Sequence, residues 1–434
     1  MPEIQVTHDA YGHTLNGHQV FSPDDKWVVY DTRNDPTHIG RTCCIEKVEV
    51  ATGRTERLYT APSQTEYGPG VGAVAWHPHG DKVIFIHGLL NCNKQRPYDF
   101  TRRFGAIWSV QNPSSVVAAD ARTVSVPLVA GALRGGTHAH SWSGDGTWVS
   151  FTYNDYLIEQ IEKKGTGIRD LRTVGVMAPG GVHVSADDGE NFSGQYFSVV
   201  AATVTEEPEP GSDEIEKAFD ECWVGRDGYR KSDGEWQKRA LAFQGHLRTT
   251  SGDLLTEVFV ADIPDDISRA GNEPLEGTIE SRPAVPTGLV QRRLTFTNDR
   301  KFPGIQGPRY WLRTSPDGSL VYFLMKDDDG IVQVYSIPTI GGDIRQVTDL
   351  PVSIQAQFNL NAEGNRLALI AGNSVWVTDV ETGKSTRLTP PREDAEAPVN
   401  AALWNHRGNS IVYNRYVATA EGRYLQIFRL ELQD

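Results

Sequence analysis

The densest run of chemically useful side chains is Arg134-Gly-Gly-Thr-His138-Ala-His140-Ser-Trp142. Residues two apart on a strand point to one side, so His138 and His140 are expected to project together. Two neutral imidazoles at that spacing can share one metal ion. The glycines before them let the chain approach a ligand closely. The alternative is that both histidines hydrogen-bond neighbouring strands and line a wet channel. Polar residues recur at comparable places: His13, Asn16 and His18 ahead of Phe21, Arg309, Tyr310 and Trp311 ahead of Thr314, and Gln355 and Gln357 ahead of Leu360. Imidazole, guanidinium, amide and aromatic groups gathered on one rim suit a polar, anionic or sugar-like ligand. Tyr30-Asp-Thr-Arg33, His87-Gly88, Tyr98-Asp-Phe-Thr-Arg102-Arg103 and Tyr153-Asn-Asp155 are expected either on the same face or in salt bridges and turn caps. The chain has no G-x-S-x-G, P-loop, H-E-x-x-H or dinucleotide fingerprint. Asp327-Asp-Asp-Gly330 lacks the full calcium-loop pattern and reads as a hairpin turn.

These groups need a framework that returns to the same place several times, and the sequence has one. An apolar residue, a polar turn and a β-rich run recur as Phe21-Ser-Pro-Asp-Asp, Trp76-His-Pro-His-Gly, Trp142-Ser-Gly-Asp-Gly, Thr314-Ser-Pro-Asp-Gly, Leu360-Asn-Ala-Glu-Gly and Trp404-Asn-His-Arg-Gly. Pro and Gly supply the turn geometry, and the Val, Ile, Tyr and Phe that follow favour strands. A second half-repeat, as in Val375-Trp-Val-Thr-Asp-Val and Thr386-Arg-Leu-Thr, completes four strands per unit of about 45 residues, the signature of a propeller blade. The long gap between Gly146 and Gly318 must hold one degenerate blade, built from the runs at Tyr196, Ala240 and Val258. The count is seven.

The expected fold is therefore an all-β, seven-bladed β-propeller forming one domain over residues 1–434. Its N-terminal strand, about residues 3–7, closes the last blade and removes a sheet edge. An insertion at 206–238 belongs to blade four. There Ile215, Phe219, Cys222 and Trp223 fall at helical spacing, so a short amphipathic helix is expected over 212–223. It would serve as a lid over one face or as an ornament on the side.

Composition narrows the function. The 434 residues carry 42 Lys+Arg against 56 Asp+Glu, a net charge of −14. That balance argues against a nucleic-acid partner. No apolar stretch approaches the roughly 20 residues of a membrane-spanning helix. Met1-Pro-Glu-Ile-Gln-Val has no basic or apolar leader character. Of the four cysteines, adjacent Cys43 and Cys44 are poorly placed to pair, and there is no CxxC. A reduced, cytoplasmic protein is the expectation.

Several strings resemble the bacterial YidR-like proteins: Arg134-Gly-Gly-Thr-His-Ala-His, Ser150-Phe-Thr-Tyr-Asn-Asp, Gly211-Ser-Asp-Glu-Ile, Trp223-Val-Gly, Gln291-Arg-Arg-Leu-Thr-Phe-Thr and Asp328-Asp-Gly-Ile-Val-Gln. The resemblance spans nearly the whole chain, and that family is of unknown activity. It is similar in turn to TolB-like propellers and to oligogalacturonate lyases, cytoplasmic seven-bladed propellers that hold manganese through His and Gln and cleave acidic sugars by β-elimination. The resemblance implies a divalent metal, manganese or similar, held by His138, His140 and Gln355. It implies His13, His18 or Arg134 as the catalytic base, and Arg309, Trp311 and Asn16 on a uronate-type oligosaccharide. The rival expectation is a non-catalytic TolB-like scaffold that binds a protein or a small ligand.

Overall fold

The computed structural model describes residues 2–35, 37–165, 167–187 and 189–432. The repeated turn explains why strands form where they do. Ser22, Ser143 and Ser315 each bond the following Asp side chain, and each hydroxyl accepts the N–H five residues on, at Trp27, Trp148 and Leu320. Asn361 and Asn405 do the same with their side-chain oxygens toward Arg366 and Ser410. Gly146, Gly318, Gly364 and Gly408 take the left-handed position of the turn, and Asp25 takes it in the first copy.

Each turn joins the innermost two strands of a blade, and seven blades surround one channel. Blade one has strands Trp27–Asp31, Cys44–Glu49 and Thr55–Thr60, with 14–21 bridged to its inner edge. Blade two is Val71–Trp76, Lys82–Gly88, Arg103–Ser109 and Asn112–Ala118. Blade three is Gly135–Trp142, Val149–Asp155, Thr173–Val182 and Gly194–Val200. Blade four is Lys217–Trp223, Ala240–Arg248, Leu254–Asp262 and Val290–Arg293. Blades five and six start at Arg313–Thr314 and Asn359–Leu360. Blade seven is Pro398–Trp404, Ser410–Ala418 and Arg423–Glu431, closed by Glu3–Gln5.

Two expectations need correction. The run at Tyr196 is the outer strand of blade three, not part of blade four. The segment 212–223 contains no helix: Lys217–Trp223 is the innermost strand of blade four, paired with Ala240–Arg248. A bulge explains the misreading. Asp220 is left-handed (φ 51°), and the register shifts between Phe219 and Cys222. One extra residue in a period-2 pattern mimics a 3.6 period. Ile215 is buried, whereas Phe219 and Trp223 are partly exposed. The α-helix among the described residues is Tyr156–Glu162, after the second strand of blade three, with the Asp155 side chain accepting from the Ile158 N–H. No described helix is long and apolar enough to cross a membrane.

The same bulge recurs around the ring. Ala73 (φ 54°) and Ala139 (φ 58°) occupy the position of Asp220, three residues before the Trp that ends the strand, and Asn400 (φ 69°) lies four before Trp404. The register shifts at each of these places. A non-glycine residue held left-handed costs roughly 1–3 kcal/mol.

The rest of the insertion lies on the face of the turns. Tyr229–Arg230 pairs with Trp236–Gln237 as a small hairpin. The Arg226 N–H donates to Pro316 O of blade five, and its guanidinium donates to Ala362 O of blade six. The Arg226 carbonyl packs on Gly144 of blade three. This segment therefore crosses from blade three to blade six at the ends of the innermost strands. A longer connection, 263–289, wraps the outside of blades three and four; Thr278 O accepts from Arg134, and Arg282 reaches Glu206. Cys43 and Cys44, expected not to pair, are joined by a disulfide.

Ring closure by the pairing of Glu3–Gln5 with the last strand is reinforced by one carboxylate. Glu3 meets Arg415 and Tyr413 of blade seven and Arg392 of the connection that leads into it. Burial works to raise its pKa, but the hydrogen bonds from Tyr413 and Arg415 outweigh it and hold it low. Glu3→Ala should lower the stability read from the urea midpoint by about 1–3 kcal/mol, because buried donors lose their acceptor; an unchanged midpoint would show that closure does not depend on Glu3. At the bulge, Ala139→Gly relieves left-handed strain of about 1–2 kcal/mol and gives back about 0.5–1 kcal/mol in chain entropy. Its thermal midpoint should therefore equal or exceed that of the parent, while Ala139→Val, β-branched at positive φ, should fall below it.

Candidate functional site

A cavity of about 360 Å³ opens at the channel mouth where the innermost strands begin, the face opposite the turns. Six blades line it: Asn16, Gly17 and Arg33 from blade one, Ala73 and Ile86 from blade two, His138 and Ala139 from blade three, Arg309 and Trp311 from the approach to blade five, Gln357 from blade six and Asn400 from blade seven. Three of the left-handed residues, Ala73, Ala139 and Asn400, lie in its wall. The fourth, Asp220, meets the cavity through Arg309, whose Nη2 donates to Asp220 Oδ1 at 3.2 Å.

The bulge separates the two histidines that strand periodicity would pair. His138, before Ala139, lines the cavity with its Nδ1 buried and without a protein partner. His140, after Ala139, is fully buried and turned into blade two. Its Nε2 lies 2.9 Å from Thr137 Oγ1 and packs against Gly105 of blade two. The two imidazoles do not share a face, because positive φ at Ala139 rotates the strand between them. Gln355 is also outside the cavity. Its Nε2 donates to Asn373 Oδ1 at 3.3 Å and its Oε1 accepts the Asn373 N–H at 2.8 Å. The amide in the wall is Gln357, which donates to Gly17 O at 2.9 Å. Among the described residues, no group of three or more His, Cys, Asp or Glu is placed to hold one ion.

The three residues expected to act as base are elsewhere as well. His13 is fully buried between Tyr11 and Tyr30, its Nδ1 against Leu425 O at 3.2 Å. Arg134 is fully buried, with Nε and Nη2 donating to Asp155 Oδ2 at 2.9 and 2.7 Å; it ties the start of blade three to its second strand. His18 lies deeper than the cavity, its Nε2 3.3 Å from the carbonyl of His140. The expected substrate residues do gather: Asn16, Arg309 and Trp311 are all in the wall. The Arg309 guanidinium sits 4.7 Å over the Trp311 ring. Asn16 Nδ2 and Trp311 Nε1 are buried without protein partners. A second cavity of about 480 Å³, lined by Cys43 and Cys44, adjoins this one through Arg33, which is itself paired with Asp31 at 2.6 Å.

Charge is the feature that strand patterning did not reveal. Arg103, Arg172 and Arg309 all act on His138, and Arg172 and Arg309 act on Lys217. Arg103 and Arg172 flank the exposed Phe100 ring at 5.4 and 6.0 Å, and Lys217 sits 4.4 Å over Phe219. Arg309 pairs with Asp220, whereas Arg103 donates to the Tyr98 hydroxyl at 3.1 Å and Arg172 to Asn154 Oδ1 at 3.2 Å, and neither these two nor Lys217 forms an ion pair with a carboxylate among the described residues. Burial and these cations hold His138 well below its ordinary range, so it is neutral. Burial, with Arg103 and His18 beside it, lowers His140 to about 3, and burial with Arg313 lowers His18 to about 3. Burial raises Asp220 despite Arg309. Arg103 carried a signal in sequence, since Tyr98–Arg103 follows a second-strand end. Arg172 and Lys217 had none, because only the ring brings blades three and four to the same rim.

The arrangement can bind an anion, stack a ring on Trp311 and present one neutral imidazole. Comparison with known proteins follows the fold. The profile described as "Protein of unknown function (DUF3748)" matches residues 70–192. An oligogalacturonate lyase in complex with manganese superposes with a TM-score of 0.55 at 11% identity, covering 100% of this chain and 93% of its own. An oligogalacturonate lyase from Vibrio parahaemolyticus gives 0.56 at 9%, covering 100% and 94%. These likenesses are of fold. The "Uncharacterized protein YidR" of Escherichia coli (strain K12) is 36% identical over 427 residues, 97% of this chain and 93% of that protein. That identity over nearly the full length, on a seven-bladed ring, makes the chain a member of the YidR family.

Proposed function

We propose that this protein binds a uronate-type sugar in the channel-mouth cavity and acts on it as a lyase. The observation that carries the reading is the cationic surround of the cavity in a chain whose net charge is −14: Arg309 is in the wall, Arg103 and Arg172 act on the wall residue His138 from behind it, and Lys217 stands beside Arg172 and Arg309. Desolvated charges without partners are costly, and a carboxylate supplied by a ligand removes that cost. The cavity volume falls within the roughly 300–1,000 Å³ of small-molecule sites. Trp311 offers a ring for stacking, and Asn16 Nδ2 and Trp311 Nε1 offer donors for hydroxyls. The fold shared with oligogalacturonate lyases supports the choice of sugar acid.

The chemistry follows from the groups present. His138 accepts the proton from the carbon α to the carboxylate. The C–H electron pair becomes the new C=C bond, the β C–O glycosidic bond breaks, the departing oxygen takes a proton from water, and the hydroxide so formed takes the proton from the His138 imidazolium, which restores the base and the water. His138 is neutral in the free protein because the cations and burial oppose its charge. A bound carboxylate offsets those cations, which raises the proton affinity of the imidazole when it is needed.

Digalacturonate should bind in calorimetry and yield an unsaturated uronate detected by its ultraviolet absorbance, whereas the neutral disaccharide should do neither. His138→Ala should retain binding and lose about 10²–10⁴-fold in turnover, the usual contribution of a general base. Binding without any turnover in the parent protein would reduce the reading to a binding protein. The pH profile has a definite sign. With His138 held below its ordinary 6.5, kcat/KM, which reports the free enzyme, should stay level from pH 7.5 to 5.5; a fall centred near 6.5 would count against His138 as the base.

A further inference from the structure

We infer that the cavity handles its carboxylate with guanidinium and ammonium groups instead of a divalent metal, a conclusion that rests on the uronate reading above. The fold neighbours make a metal the obvious expectation, and the residues present do not fit one. His138 and His140 lie on opposite sides of the Ala139 bulge, and the His140 Nε2 is taken by Thr137. Gln355 has both amide atoms tied to Asn373 outside the cavity. His138 therefore stands as a single imidazole ligand in the wall.

The field at that imidazole points the same way. Four cations crowd the rim: Arg103 from blade two, Arg172 from blade three, Lys217 from blade four and Arg309 before blade five. Three carboxyl groups answer them, and each has a partner of its own: Glu216, which acts on Lys217, is paired with Arg248 at 2.8 Å. Asp220 is engaged by Arg309, and Asp170 accepts from the Asn154 side chain and the Asp155 N–H, both at 2.8 Å. A dication approaching His138 meets net positive charge, and a carboxylate approaching the same point meets attraction. Cations on the carboxylate also stabilise the charge that builds on it as the α proton leaves, the role a metal fills elsewhere. The elimination is redox-neutral and needs no co-reactant, so the cluster is chemically sufficient.

The test uses the full-length protein, Mn2+ alone and digalacturonate alone. After dialysis against EDTA, digalacturonate affinity and turnover should stay within twofold of the untreated protein. Mn2+ should give no saturable signal by calorimetry or electron paramagnetic resonance at millimolar concentration. Arg172→Gln should weaken digalacturonate binding at least tenfold, Arg172→Lys should restore most of it, and both should keep the parent thermal midpoint to show that they are folded. Saturable Mn2+ binding that disappears in His138→Ala would overturn the inference, as would EDTA inactivation reversed by Mn2+; either would leave the uronate reading standing. Absence of digalacturonate binding with and without Mn2+ would overturn the uronate reading and with it the role given to the cluster, while the Mn2+ titration would still decide whether His138 takes a metal.

Discussion

A left-handed residue held at nearly the same depth in the innermost strands constrains almost everything else about the site. Ala73, Ala139, Asp220 and Asn400 each interrupt the pairing of first and second strands, and none is glycine. The strain, roughly 1–3 kcal/mol at each, persists because closure of the ring fixes both ends of every strand. In blades three and four its geometric effect is the same. The residue before the bulge stays out of the seam: His138 lines the cavity, and Phe219 packs on His246 and Lys217 of its own blade. The residue after it turns into the seam with the preceding blade, as His140 does toward Gly105 and Glu221 does toward Thr152. The bulge thus sorts chemistry into two compartments, an open rim and a closed seam.

Burial shifts the seam residues that follow the bulge, and their neighbour Asp120, toward their uncharged forms. His140 is lowered to about 3, so it is neutral in the seam, and burial pushes Glu221 up to about 7 and Asp120 up to about 6. For Glu221 and Asp120 desolvation outweighs the local hydrogen bonds, and for His140 it is reinforced by Arg103 and His18; in each case the uncharged form is favoured. At the rim, guanidinium and ammonium groups remain charged and are only partly answered by carboxylates. The acidic protein therefore carries a positive mouth, and the insertion around Arg226 lies across the opposite face, so the polar cavity faces solvent at the end where the cations stand.

Much of this was legible in the chain alone. The Ser-Pro-Asp-Gly turns, the alternation after them and the likeness of Ile4-Gln-Val to an outer strand lead to seven blades and to closure by Glu3–Gln5. These features depend on contacts within a few residues, or on a pattern repeated often enough to average out local exceptions. Asn16, Arg309 and Trp311 reached the cavity for the same reason, since each precedes its blade's turn at a comparable distance.

What the chain alone did not reveal depends on the bulge and on the ring. A single extra residue at Asp220 made a strand look helical, and one at Ala139 split a His-x-His pair that periodicity would have joined. Whether Gln355 or Gln357 faces the cavity turns on which side chain finds a local partner, and Asn373 settles it for Gln355. The cation cluster lies deepest in tertiary structure. Arg103, Arg172, Lys217 and Arg309 are spread over more than 200 positions of sequence, and whether a charge has an ion-pair partner is a property of space rather than of order along the chain. Short-range backbone preference therefore determined the blades, while closure of the ring, by bringing distant side chains to one rim and fixing which of them lack a counter-charge, decided what the site can bind.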